Sequence, residues 1–297
     1  MQQQYDTERL LLNTLTIHDT DFIFELVNTE SWKRFIGDRH IHDKATAAAY
    51  VQKLVDNKNI VYWVASLKEE QVPVGVITLI KRDYLRHHDI GFAFLPGHSK
   101  KGYAFEAAAA VVNDIANDHN HTHLLATTLE SNTNSISLLE RLGLSFSEKI
   151  LNNGEELLLF EATSDQLQVN RLIQTFFSIF NNVNGRQPGW DLAHSCFIKE
   201  AIIIKKTGVK ETIDSVDSFI TPRKAILSGG SLIDFSEREL NFATNITGNI
   251  AQRSSRYQKT GRRDGVDFKE YGNKLFQFIK TGEGWKISSL LWEDDAE

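Results

Sequence analysis

Through the first half of the chain, short apolar runs alternate with segments whose apolar positions recur at helical spacing. Residues 9–14 (RLLLNT) are compatible with a buried strand. In HDTDFIFELVN, Asp19 or Thr20 can cap a helix carrying Phe22, Phe24 and Leu26. Residues 44–57 predict a second amphipathic helix on Ala48, Val51, Leu54 and Val55. Strand-like runs follow at residues 61–67 and 72–80, with a hairpin turn at residues 69–71. Residues 89–95 form a further strand, ended by Pro96-Gly97. Gly102 then opens an alanine-rich helix that runs to about Asn117. HLLATTL reads as a strand, residues 134–141 as a helix stopped by Gly143, and EELLLFEAT as the closing strand.

The polar stretch SDQLQ, residues 164–168, has no strong pattern and is the expected boundary between domains at residues 1–163 and 169–297. Beyond it, Leu172, Ile173, Phe176, Phe177 and Phe180 give a helix a wide apolar face. A loop (VNGRQPGWD) leads to the strand-like CFIKEAIIIKKT. Three long alternating runs follow, and TGEG supplies a hairpin turn between the last two. This half predicts one or more helices followed by a long curved antiparallel sheet. No internal repeat is visible, and the alanines are the single low-complexity feature.

Composition narrows the classes. A length of 297 residues suggests two domains at roughly 100–200 residues each. With 41% hydrophobic and 24% charged residues the chain reads as an ordinary globular protein. A net charge of −6 argues against a nucleic-acid partner. No stretch is apolar enough to span a membrane, and the start does not resemble a secretory signal. One cysteine, Cys196, excludes an internal disulfide and fits a reducing cytoplasm.

The candidate chemistry starts at SKKGYAFEAAAA, residues 99–110. A glycine between strand and helix lets a ligand approach closely. The first turn of the helix offers unpaired N–H groups and the positive end of the dipole, which together bind phosphate. Lys100 and Lys101 add positive charge. The competing reading is a plain helix start with solvated lysines.

The surrounding motifs resemble those of the GCN5-related N-acetyltransferases, and most of all the branch that acetylates ribosomal-protein N-termini. The residues that carry the resemblance are TERLLL near the start, DIGFAFLPGHSKKGYAFEA through strand, loop and helix, and NTNSISLLERLGL. They lie between about Asp6 and Ala162. The resemblance implies an α/β N-acetyltransferase fold, a mixed and mostly antiparallel sheet flanked by helices. It implies acetyl-CoA as co-substrate, its pyrophosphate held by the loop of Ser99, Lys100, Lys101, Gly102, Tyr103 and Ala104, with Asn132 and Ser135 near the pantetheine arm. Asn132 and Ser135 have helix capping as the alternative. Ser99 replaces the usual Gln, Arg or Trp. Leu139 stands where many relatives carry a tyrosine that protonates the leaving thiolate, and Leu144 replaces a phenylalanine.

Direct attack of an amine on a thioester needs a polarised carbonyl, an in-line approach and a base. Asp89, at the start of the strand leading into the loop, is the first candidate base. Glu130, at the end of the next strand, is the second. Each is otherwise a strand-end or surface carboxylate. Glu106 reads as a structural partner of the helix dipole or of a neighbouring strand. Trp32, Phe35 and His40 are candidates for the acceptor side. The acceptor class is a primary amine, either a protein N-terminus or a small molecule. The alternative is a non-catalytic acyl-CoA sensor. His87, His88, His119, His121 and His123 are closely spaced, yet no carboxylate or cysteine completes a metal-ligand spacing, and no metal is expected.

The closing GEGWKISSLLWEDD and the helix-then-sheet order resemble the nuclear transport factor 2-like or SnoaL-like fold, an α+β cone-shaped barrel around a pocket. Trp190, Tyr257 and Trp292 are the expected pocket residues. His194, Asp217 and Arg256 are the further polar candidates, with no Asp–His dyad evident. Arg256 and Tyr257 are adjacent on one strand, so only one faces inward. The five basic residues of RSSRYQKTGRRDG read as a solvated hairpin tip. The SnoaL-like fold hosts isomerases, dehydratases, binding modules and dimerisation modules; the expectation here is a small-molecule-binding or dimer-forming appendage rather than a second enzyme.

Overall fold

Alternation and capping place most elements of the first half where the apolar pattern puts them, while the helix Glu30–Phe35 and the strand Ser145–Asn152 are not expected from it. In the computed structural model, which describes residues 2–295, the chain divides into two units between Leu167 and Gln168. The first contains β1 (Gln4–Asp6), β2 (Leu10–Thr14), α1 (Thr20–Val27), α2 (Glu30–Phe35), α3 (Lys44–Asp56), β3 (Ile60–Leu67), β4 (Pro73–Ile80), β5 (Asp89–Phe94), α4 (Tyr103–Asn117), β6 (His123–Thr128), α5 (Thr133–Leu142), β7 (Ser145–Asn152) and β8 (Glu155–Thr163). Its sheet runs in the order β1-β2-β3-β4-β5-β6-β8-β7. Every neighbouring pair is antiparallel except β5 and β6.

Both faces of this sheet are covered, which is why β3 and β4 read as nearly continuous apolar runs. On one face Ala107, Ala108, Val111 and Ile115 of α4 pack with Trp63, Ile77, Leu79 and Leu124. On the other, Phe22, Ile23, Leu26, Val51 and Leu54 cover Val64 and Val76. The small alanine side chains let α4 lie close to the sheet. In α3 the buried stripe is Ala47, Val51 and Leu54; Ala48 is half-buried and Val55 is 47% exposed, so the helix is turned by one position from the expected face. Asp43 caps it, accepting the Thr46 N–H at 2.8 Å.

The second unit continues with α6 (Ser164–Ile179), α7 (Trp190–Ala193), β9 (Phe197–Thr207), β10 (Lys210–Asp214), α8 (Val216–Ser228), β11 (Leu232–Thr247), β12 (Ile250–Arg263), β13 (Val266–Thr281) and β14 (Gly284–Asp294). Residues 164–168 are the opening turns of α6 and not an irregular linker. Six strands pair in the order β10-β9-β14-β13-β12-β11, antiparallel apart from β9 with β14. The unit is mostly sheet, packed on Phe176, Phe177 and Phe180 of α6 and on Phe219 and Ile220 of α8. Helix α8 carries Pro222 in its interior. The basic hairpin differs from expectation. Its tip is Asp264-Gly265 in left-handed conformation, but Arg253 is 3% exposed and bonded to Glu239, and Lys259 is bonded to Asp294.

Candidate functional site

Strands β5 and β6 form a fork. They share a single register pair, Asp89 with Leu125, and then part. The Leu125 N–H donates to the His88 carbonyl at 2.9 Å. A continued parallel ladder would give the Thr127 N–H to the Ile90 carbonyl. It goes instead to Oδ1 of Asp89 at 3.0 Å. By strand alternation the backbone groups of Phe92 and Phe94 then face the gap with no β6 partner.

Asp89 is 2% exposed. Its other oxygen accepts from Nε of Arg82. Burial pushes its carboxyl above the ordinary value; Arg82 and the Thr127 N–H oppose that rise without cancelling it. The second carboxylate, Glu130, lies exposed just beyond β6, 3.4 Å from Nζ of Lys149.

The loop after β5 ends on the N-terminus of α4. Gly102 is the N-cap, with φ of 85°, and Lys100 has φ of 60°. The N–H groups of Tyr103 and Ala104 lie in the unpaired first turn. Ser99, Lys100 and Lys101 are exposed. A bracket that the sequence reading missed holds this turn. Arg9 donates from Nη1 to the Lys101 carbonyl at 2.9 Å and from Nε to Glu106 at 2.7 Å, and its guanidinium lies 4.6 Å from the Tyr103 ring centroid. Glu106 also accepts from Oγ1 of Thr7 at 2.6 Å and from the Arg9 N–H at 2.7 Å. Burial raises the Glu106 carboxyl, but these donors outweigh it and hold the group below its ordinary value.

Asn132 caps α5, accepting the Ser135 N–H at 3.2 Å. Leu139, at the tyrosine position, is 1% exposed in the core. Trp32 is buried in the layer of α1 and α3, with its Nε1 unpartnered; Phe35 is half-buried and His40 exposed. His98, just before the loop, has a buried Nδ1 with no partner.

Comparison with known proteins bears on what this fork is. Residues 9–145 match the acetyltransferase (GNAT) domain family. The N-terminal half is a GNAT acetyltransferase domain. A Bacillus subtilis protein described as the uncharacterized N-acetyltransferase YnaD is 26% identical over 155 residues, 50% of this chain and 89% of its own length. A GCN5-related N-acetyltransferase from Brucella melitensis superposes with a TM-score of 0.52 at 15% identity, over 63% of this chain and 91% of that one. An uncharacterized protein from Bacillus halodurans does so with a TM-score of 0.50 at 12% identity, over 56% of this chain and 92% of that one. These two likenesses concern the fold. In the GNAT domain the fork and the α4 N-terminus adjoin through the β5–α4 loop.

In the second unit, a cavity of about 300 Å³ is lined by Tyr257 and Trp292 among others. Trp190 is not in its wall; it packs edge-on to Phe180, ring centroids 6.0 Å apart. Tyr257, the inward member of its pair with Arg256, donates to Asp294, and Arg256 turns out to Asp295. Burial raises the Asp294 carboxyl, yet Lys259, Tyr257 and Lys205 outweigh it and bring the value to about 2. His194 and Asp217 do meet, at 2.8 Å, although the sequence showed no dyad; the pair is solvent-exposed and outside the cavity wall.

Among the described residues, no group of three or more His, Cys, Asp or Glu is placed to hold a metal, and no helix is long and apolar enough to cross a membrane. Cys196 is free and buried, and burial pushes its thiol up to about 11.

Proposed function

We propose that the chain transfers an acetyl group from acetyl-CoA to a primary amine by direct attack. The observation that carries this reading is the fork that parts beyond Asp89 beside the open first turn of α4. Gly102, Tyr103 and Ala104 would offer backbone N–H groups to the pyrophosphate, with Lys100 and Lys101 adding charge and Ser99 at the loop's entry. The unpaired backbone of Phe92 and Phe94 would take the pantetheine arm and polarise the thioester carbonyl. Asn132 and Ser135 support that arm by fixing the start of α5.

Asp89 is the proposed base. Two of its roughly four acceptor positions are filled, which leaves lone pairs for a water that carries the ammonium proton. Its raised pKa suits that task. Glu130 is the weaker candidate, because it is exposed and held by Lys149. With Leu139 buried in the core, the thiolate leaves without a proton from that position.

For the second unit we propose a nuclear transport factor 2-like or SnoaL-like barrel that binds a small molecule. Helix α6 against a long sheet and the aromatic-lined cavity support this.

The test is calorimetric titration of acetyl-CoA followed by thiol release with a panel of amines and peptide N-termini. Binding and turnover are expected. Absence of acetyl-CoA binding overturns the reading. Binding without turnover for any amine supports a non-catalytic acyl-CoA sensor, the alternative class.

A further inference from the structure

The cavity of the second unit carries more positive than negative charge. Lys205, Arg223, Lys259, Arg263 and Lys274 line it against Glu237 and Asp294. Both carboxylates are already engaged. Asp294 accepts from Lys259 at 2.8 Å and from Tyr257, with Lys205 3.3 Å away. Glu237 takes Lys274, whose Nζ also sits 3.4 Å from the Tyr257 ring centroid. Arg263 is exposed at the rim.

Arg223 stands apart. It projects from α8, donates from Nη1 to the Phe219 carbonyl at 2.7 Å, and lies over the rings of Phe219 and Trp292 at 3.8 and 5.3 Å. No carboxylate lies within ion-pair distance of it among the described residues. A guanidinium has five N–H donors in a rigid fork. The rest of the mouth and wall is apolar, with Leu227, Leu290 and Trp292.

We propose that this cavity binds a small amphipathic carboxylate, its head on Arg223 and an aryl or short alkyl body against the aromatic wall. Lys259 is shared with Glu270 at 2.9 Å, so Asp294, Glu270 and Glu237 match Lys205, Lys259 and Lys274, and the one spare interior cation matches a monoanion. A phosphate dianion would leave a charge unmatched close to Asp294 and Glu237. A volume of about 300 Å³ is at the small end of ligand sites and holds roughly ten water-sized groups. The proposal rests on reading the second unit as a ligand-binding appendage, and not on acetyl transfer by the first.

The experiment titrates 3-phenylpropanoate, its neutral amide and phenyl phosphate into the full chain, and repeats this with Arg223→Met and Arg223→Lys. The acid is expected to bind at least about tenfold tighter than the amide, the difference that a hydrogen bond to a charged group makes. Arg223→Met should erase that preference while leaving the amide's affinity unchanged, and Arg223→Lys should keep part of it. The comparison of acid with amide on the unaltered protein stands even if a variant misfolds. Equal binding of acid and amide, tighter binding of phenyl phosphate, or a preference that survives Arg223→Met overturns the carboxylate assignment and leaves the cavity a ligand site. Binding of none of the probes overturns the ligand-binding reading as well. Acetyl-CoA binding in the same sample reports on the first unit independently.

Discussion

Asp89 takes the Thr127 N–H at 3.0 Å, where the next rung of the ladder would be the Ile90 carbonyl. A side chain therefore ends the pairing of β5 with β6 and sets where the gap begins. Arg82 holds the same carboxylate from its other side. Asp89→Asn keeps an acceptor for Thr127 and removes the charge. If Asp89 is the base, kcat/KM falls by about 10²–10⁴-fold with acetyl-CoA affinity little changed. A Tm that drops in step with activity, together with an unaltered pH–rate profile, would reduce Asp89 to a strut. Arg82→Met leaves the buried carboxylate without its cation, so its pKa rises further and the acid limb of the rate profile moves to higher pH.

Glu106→Ala removes the acceptor of the Thr7 hydroxyl, the Arg9 N–H and the Arg9 guanidinium together. A loss of about 1–3 kcal/mol in denaturant unfolding is expected. The Michaelis constant for acetyl-CoA should rise, since Arg9 also fixes the Lys101 carbonyl beside the loop. The native carboxyl is held below its ordinary value of 4.5. Its stabilising contribution is thus present above that pH and is lost as the pH falls through the native pKa. Partial exposure and salt reduce its size. Unfolding curves across that range for wild type and Glu106→Gln should converge at the acid end.

Gly102→Ala puts a Cβ at a residue with φ of 85°, 3.3 Å from Nη2 of Arg9. The left-handed conformation costs a side-chain-bearing residue about 1–2 kcal/mol. Acetyl-CoA affinity should fall while binding of the second unit's ligand is unaffected. Calorimetry of both ligands on one sample checks this.

Four histidines meet in pairs where β5 and β6 begin, His87 stacked on His123 and His88 tilted against His121. His87 and His123 have ring centroids 4.5 Å apart, and His88 and His121 4.8 Å. Burial first, and then the facing histidine, push His87 and His88 below the ordinary 6.5. Glu161, 3.7 Å from His123, opposes this in part for His87. The unfolded chain binds these protons more readily, so stability falls as the pH drops below about 6.5 and levels off below the native values. Urea midpoints at several pH values should show the decline, and His87→Gln with His88→Gln should flatten it.

The pattern of the sequence made α4 legible because its alanines and Gly102 follow local rules of packing and capping. Strand β7 was not legible: none of its eight positions is buried, Phe146 and Leu151 included, so no apolar alternation marks it. Helix α8 was hidden by Pro222, a local signal against helix that packing of Phe219 and Ile220 overrides. The phosphate loop could be placed from glycine and order of motifs. Its bracket could not, because Arg9 and Glu106 are 97 positions apart. The cavity's charges come from β9, α8, β11, β12, β13 and β14. Only the paired strands bring them together, so single basic residues looked like solvated surface.

Pro222 has no N–H to give the Ser218 carbonyl, so α8 lacks a rung one residue before Arg223. The opposite wall, on β12, β13 and β14, is a paired sheet with one register shift at Gln277–Phe278, tied by Lys259, Lys274 and Asp294. The two sides of the cavity therefore differ in how readily they breathe. A guest gripped by Arg223 spans from the looser side to the stiffer one. Occupancy would be recorded as slowed amide exchange in a single helix while the strands keep their rates, a readout confined to one short stretch of backbone.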